Sequence, residues 1–251
     1  MSPPDDLVTW RKSQRTALIA DRLALSDDAQ VAMRKAIAQH LDAVRVALHG
    51  AVIGFCWPYR GEPDLTDLIE SWRNDGIVAT LPEPLEAQRA VRFRRWSPDV
   101  RMIHGAYGIP VPEGTEVLTP DLILAPLVGF DDRGYRLGYG GGYFDRLIAD
   151  IVPAPVAIGV GLEQARLNTI FPQPHDAPMD YIVTEAGIRV VEPQGLRELS
   201  GEQVVEHLRL LLASRHLPRL QSMTRIELSS PVCYADEFPG YFGDSEASKE
   251  K

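Results

Sequence analysis

Short apolar runs at residues 51–57, 77–81, 122–128, 155–161 and 181–184 alternate with segments of helical spacing along the first three quarters of the chain. Runs this short suit strands buried on both faces, and strands that alternate with helices assemble into parallel sheets with crossover helices covering them. The expected fold is therefore α/β, a three-layer arrangement with a mostly parallel central sheet and helices on both faces. Ahead of the first strand, residues 11–25 and a segment from Val31 to Gly50 read as a helical pair, with Ser26, Asp27 and Asp28 ending one helix and capping the next. A helix over 64–74 stops at Gly76, and residues 82–120 are rich in Pro, Gly and charge, with one short strand at 91–94.

The chain has 251 residues, 45% of them hydrophobic, enough to bury the core of one large domain with appendages. Its net charge of -9 excludes a general nucleic-acid binder, which needs a basic surface. Cys56 and Cys233 form no CxxC pair and are too few for a disulfide framework or a zinc site. No basic and apolar leader opens the sequence and no window is apolar enough to span a membrane, so the expected location is cytoplasmic.

The densest chemistry lies in residues 130–146, where Gly138, Gly140, Gly141 and Gly142 stand between the 122–128 strand and a helix-like run at 143–151. Glycines admit positive φ and close backbone approach, and the first N–H groups of the following helix lack intrahelical partners. Strand, glycine loop and helix in that order make an anion cradle, to which Arg136 and Arg146 add fork-shaped donors. Asp145 stands where a carboxylate completes a Mg²⁺ shell with phosphate and water, or serves as a first-turn residue favoured by the helix dipole. The loop is not a Walker A loop, because no Gly-Lys dipeptide occurs in the chain, and it lacks the third glycine of G-x-G-x-x-G.

Residues 126–146 resemble the 5-formyltetrahydrofolate cyclo-ligase family, also called 5,10-methenyltetrahydrofolate synthetase. Three further stretches agree in order and spacing across residues 11–187: Arg11 to Arg15 with Arg22, Leu25 and Ser26; the segment around Glu62; and His175-Asp176 leading to Val183-Thr184-Glu185. The resemblance implies an enzyme that uses MgATP to convert 5-formyltetrahydrofolate into 5,10-methenyltetrahydrofolate through a phosphorylated formyl intermediate, releasing ADP and phosphate. It implies Mg²⁺ as cofactor, ATP and a reduced folate as ligands, and neither nucleic acid nor membrane as partner. By the same resemblance Arg11, Lys12, Arg15, Arg136, Leu137, Gly138, Tyr139, Gly140, Gly141, Gly142, Tyr143 and Phe144 contact ATP, with Arg136 and Tyr143 catalytic. Trp57, Glu62 and the Tyr139–Tyr143 segment contact the folate, and Asp145 and Asp176 hold the metal.

The family commonly has Lys where Arg11 stands, and the neighbouring Lys12 offers an ammonium in its place. Taken alone, Glu62 reads equally as a helix cap, Asp176 as a turn residue and Trp57 as core. Two other readings stay open: a nucleotide- or folate-binding interaction protein without turnover, and an ATP-dependent enzyme of the same scaffold with another substrate. Residues 1–187 are expected to form the cyclo-ligase-like domain, and 188–251 a C-terminal extension of a strand, a helix around 202–214 and an acidic tail. The aromatic residues of that tail suit docking on the body or self-association, as readily as its charge suits mobility.

Overall fold

The structure is a computed structural model that describes residues 3–85, 90–105 and 108–227, with side chains through 215. Helix α1 (Leu7–Leu23) starts four residues ahead of expectation because Asp6 Oδ1 accepts the Thr9 N–H at 2.9 Å, a cap that the hydrophobic spacing did not reveal. Helix α2 (Asp27–Asp42) is capped by Ser26, whose Oγ accepts the Ala29 N–H at 3.3 Å. It ends earlier than expected, in a short 3-10 turn at Arg45–Ala47. Strand β1 (Val52–Gly54), helix α3 (Thr66–Arg73) and strand β2 (Val78–Leu85) then form the first parallel unit.

Strand β2 runs four residues past the expected end, through Pro82 and Pro84. Thr80 turns its C=O toward β1, accepting the Phe55 N–H, so Pro82 and Pro84 turn their N atoms to the same side. The register with β1 stops at Thr80, and that side has no ladder to break. Antiparallel β3 (Ala90–Arg95) covers the other side of β2, and two further short pieces, β4 (Met102–His104) and β5 (Pro110–Pro112), form a separate ribbon. Strand β6 (Val117–Leu118) closes that edge against β3.

Strand β7 (Leu122–Pro126) is the centre of the sheet. Between it and the glycine loop stands an unexpected hairpin, β8 (Gly129–Asp131) and β9 (Arg136–Leu137), so the simple order of strand, loop and helix is corrected. Asp131 builds the turn: it is 1% exposed, its Oδ1 accepts the N–H groups of Arg133 and Tyr135, and its Oδ2 accepts that of Ile170. Helix α4 (Tyr143–Asp150) follows the loop, then β10 (Val156–Val160), β11 (Arg166–Leu167) paired with β8, and β12 (Tyr181–Thr184).

The main sheet has nine strands in the order β14-β13-β12-β10-β7-β1-β2-β3-β6 once β13 (Gly187–Glu192) and β14 (Gly195–Glu198) are added. From β12 to β2 all pairs are parallel, and both edges are antiparallel. Strand β14 was not expected. Period-two burial splits the core between two faces. Leu122, Leu124, Val156 and Ile158 meet Ile37, Leu41, Trp72, Val204 and Leu208 from α2, α3 and α5 (Gly201–Glu227). Ile123, Ala125, Ala157 and Ile182 face the opposite way, toward Phe93, Phe130 and Leu147 of α4. Strand β13 pairs directly with β12, and α5 packs into the first core face. The expected tail after residue 228 lies outside the described residues. Among the described residues no helix is long and apolar enough to cross a membrane.

Candidate active site

The parallel strands β1, β7 and β10 end on one side of the sheet, and the segments that leave them gather the residues singled out in the sequence. Ligands of open parallel sheets settle in such crevices. Helix α1 crosses this side with Arg11, Arg15, Leu18 and Arg22 turned inward and Lys12 exposed. Spacings of four and three residues place the inward set on one helical face. Leu18 seats against Gly129, where a Cβ would meet Leu18 Cδ1 at 2.8 Å. Of the two cations offered for the position of the family's lysine, Arg11 is the one that faces inward, and Lys12 is exposed.

The three arginines meet different surroundings. Arg11 donates to Asp176 at 2.6 Å and to the carbonyls of Ile170 and Phe171, tying α1 to the segment after β11. Arg15 lies over the glycine loop: its Nε donates to the Gly138 carbonyl at 2.7 Å, and its guanidinium lies within 3.4 to 3.6 Å of the position a Gly140 Cβ would take. Among the described residues Arg15 forms no ion pair. Burial and the like charge of Arg11 hold its pKa below the usual arginine value. Arg22 is buried and reaches Tyr139.

The loop itself is shaped by glycine. Gly140 and Gly142 have φ of 97° and 64°, and Gly142 begins α4 with no side-chain cap. Gly141 lies under the Tyr143 ring, where a Cβ would come within 2.8 Å. Arg146 packs on Tyr143, 5.2 Å from the ring centre, and donates to the Gly141 carbonyl at 2.9 Å. Arg136 and Leu137 sit beneath the loop in β9. Arg136 pairs with Asp145 at 3.1 Å, donates to the Ala177 carbonyl at 3.2 Å and stands over the Phe144 ring. Burial lowers its pKa despite Asp145 and Asp176 nearby.

Both carboxylates expected to hold a metal already serve an arginine. Asp145 Oδ1 accepts from Arg136 and from the Ala177 N–H, and Asp176 accepts from Arg11 and the Gln173 N–H. Burial raises the pKa of Asp176, but the hydrogen bonds from Arg11 and Gln173 outweigh it and the net shift is downward. Among the described residues no group of three or more His, Cys, Asp or Glu side chains is placed to hold a metal ion. The two carboxylates differ: Asp176 is engaged through both oxygens, whereas at Asp145 both of these bonds fall on Oδ1, so Oδ2 could meet a cation without release of Arg136.

On the other side of the loop, Tyr139 O–H donates to Glu62 Oε1 at 2.5 Å, while the Tyr59 N–H donates to Glu62 Oε2 at 3.1 Å. Glu62 is thus no helix cap; α3 has Leu65 at its N-cap with no side-chain cap, and Asp64 accepts the Thr66 N–H at 2.9 Å in the turn ahead of it. Glu62 also lines a cleft of 280 Å³ between the 61–64 segment, the start of α2 and Leu162. Burial raises the Glu62 pKa against the opposing effects of Tyr139 and Arg22, and burial with the charge of Glu62 pushes the Tyr139 pKa up. Trp57 packs edge-on against Trp96 and the first core face, so its contacts are those of a packing residue. Residues 131 and 22 were missed as organisers, although the Asp131-Asp-Arg-Gly134 turn signal and the conspicuous arginine spacing of α1 were both present in the sequence.

Comparison with known proteins matches residues 8–185 to a family model described as the 5-formyltetrahydrofolate cyclo-ligase family. A 5-formyltetrahydrofolate cyclo-ligase from Mycolicibacterium smegmatis is 25% identical over 183 residues, which is 69% of this chain and 93% of the relative. One from Haemophilus influenzae is 28% identical over 145 residues, 55% of this chain and 77% of the relative. The NMR structure of Aquifex aeolicus 5,10-methenyltetrahydrofolate synthetase superposes with a TM-score of 0.64 at 27% identity, covering 76% of this chain and 96% of that one.

Proposed function

The chain belongs to the 5-formyltetrahydrofolate cyclo-ligase family, and from that premise we propose that it closes 5-formyltetrahydrofolate to 5,10-methenyltetrahydrofolate at the expense of ATP. The observation that carries the nucleotide half is Arg15, a half-buried cation without a carboxylate partner among the described residues, held over a glycine loop that leads into the N-terminus of α4 with no side-chain cap at Gly142. An unneutralised buried charge is costly, and a phosphate chain satisfies it together with the helix terminus.

The chemistry asks mainly for positioning and charge neutralisation. The formyl oxygen on N5 attacks the γ-phosphorus, and the bond to the ADP oxygen breaks. N10 then adds to the activated carbon, loses its proton to solvent, and the carbon–oxygen bond breaks to release phosphate. Arg15 and the α4 amides take the phosphate oxygens, with Arg136 and Tyr143 beside the transferred group. Tyr139 stands between nucleotide and pterin, and Glu62 accepts from pterin N–H groups. Charge neutralisation in this scheme rests on arginines and amides, and Asp145, held by Arg136 through Oδ1, would be the carboxylate to meet a Mg²⁺ that arrives with the nucleotide.

Purified protein mixed with 5-formyltetrahydrofolate and MgATP is expected to generate the near-ultraviolet absorbance of the methenyl product. Binding of ATP with no product refutes the reading and favours a non-catalytic binder or another substrate.

A further inference from the structure

We propose that Arg22 is the positioning residue of the folate half of this site: acting through Tyr139, it fixes the orientation of Glu62 without touching either substrate. This rests on the cyclo-ligase reading for the identity of the ligand, though not for the geometry.

Arg22 occupies the last turn of α1 and is 4% exposed. Each guanidinium nitrogen has its own acceptor. Nε donates to the Arg60 carbonyl at 2.9 Å, Nη1 to the Leu127 carbonyl at 3.3 Å and Nη2 to the Tyr139 hydroxyl at 2.8 Å. One side chain therefore joins the turn before Glu62, the end of β7 and the glycine loop. Among the described residues it forms no ion pair, so its charge is answered by hydrogen bonds and, one step away, by Glu62.

The direction of these hydrogen bonds follows from donor rules. A guanidinium only donates. By filling a lone pair of the Tyr139 oxygen it obliges the single hydroxyl hydrogen to point elsewhere, and Glu62 Oε1 stands 2.5 Å away. Glu62 Oε2 takes the Tyr59 N–H, so the carboxylate plane is held at both ends and its remaining lone pairs are aimed by the protein. Other charged or titratable groups facing Glu62 are Cys56 beyond β1, Asp64 on its own segment, and Asp27 and Arg34 across the cleft on α2. Among these groups and Arg22, a continuous hydrogen-bonded path to Glu62 runs from Arg22, by way of Tyr139. Burial favours the neutral carboxyl, and the Arg22 charge opposes that preference.

The test follows the Glu62 carboxyl by carbon-13 NMR through its titration in the full chain and in Arg22→Met and Arg22→Lys, beside the KM for 5-formyltetrahydrofolate and for ATP. Arg22→Met is expected to move the Glu62 midpoint upward and to raise the folate KM about 10- to 100-fold, with the ATP KM held within about twofold. Arg22→Lys keeps the charge but not the three-way fork: the midpoint returns toward that of the native protein while the folate KM stays raised. Equal losses toward ATP and folate, or an unmoved Glu62 midpoint in Arg22→Met, overturn the proposal. Should Arg22→Met fail to fold, Arg22→Lys combined with Tyr139→Phe decides: the folate effects overlap if Arg22 acts through Tyr139, and simple addition of the two overturns it. A native protein that forms no methenyl product overturns the cyclo-ligase reading instead, while the Glu62 titration still judges the Arg22 path.

Discussion

Arg15→Met separates a residue kept for binding from one kept for folding. Among the described residues Arg15 makes one hydrogen bond, to the Gly138 carbonyl, and it carries a charge disfavoured by burial and by Arg11. Removing the guanidinium forfeits about 1 kcal/mol of hydrogen bonding. It also relieves a desolvation cost of similar size, while methionine retains the apolar stem. The two contributions nearly cancel, so the melting temperature is expected to stay within about 3 °C of the native value for a chain of this length. Binding should behave otherwise. A charge-assisted bond to phosphate contributes about 1.5 to 3 kcal/mol, so the ATP KM rises about 10- to 100-fold with the folate KM little changed. Steady-state kinetics with each substrate varied, beside thermal unfolding with and without ATP, make the measurement. A clear fall in melting temperature with an unchanged ATP KM refutes the argument and makes Arg15 a structural clamp.

Asp131→Ala removes the acceptor of three backbone N–H groups at a buried turn and is expected to cost about 2 to 4 kcal/mol, read as a lowered denaturation midpoint with an unchanged slope. Glu62→Gln tests the raised Glu62 pKa. Folded protein holds that proton to higher pH than the unfolded chain, so the native stability contribution falls as pH rises from the ordinary glutamate value, about 4.3, through the raised one. The stability of Glu62→Gln relative to native should thus improve from acid to neutral pH, and a gap constant with pH removes the assignment. In Gly129→Ala the new Cβ meets Leu18 Cδ1 at 2.8 Å and the Ala165 carbonyl at 3.3 Å. Overpacking by one methyl, at a cost of about 1 to 3 kcal/mol, pushes α1 outward, and ATP and folate KM values should rise together; a change in one alone means α1 does not move as a unit.

The parallel centre of the fold was legible because β7, β10 and β12 are apolar on both faces, and the glycine loop because its residue types serve few other purposes. Less visible was everything that depends on distant pairing. Strands β8, β9 and β14 have two to four residues each, too short for a period to register, and β2 was cut short by prolines that are harmless only because β1 ends beside Thr80. The pairing of Arg11 with Asp176 crosses 165 residues, and no local pattern announces it. That pairing bears most on the chemistry, since the family resemblance assigned Asp176 to a metal, whereas in the structure it is the counterion of Arg11 on α1.

The inward face of α1 explains why a helix outside both core faces is nonetheless integral to the site. Arg11, Arg15 and Arg22 have the same charge, yet each has a distinct electrostatic setting: a carboxylate within 2.6 Å, a carbonyl of the glycine loop, and a hydroxyl that leads on to Glu62. A rigid rod keeps these settings in fixed relation, so the anchoring of Arg11 at one end determines where Arg15 overhangs the loop and where Arg22 grips Tyr139. Loss of the Arg11–Asp176 pair is therefore expected to reach both halves of the proposed site, while loss of Arg15 or Arg22 is expected to stay confined to one. The expected kinetic order follows: damage at the anchor raises both KM values, and damage farther along the face raises the one that its neighbour serves.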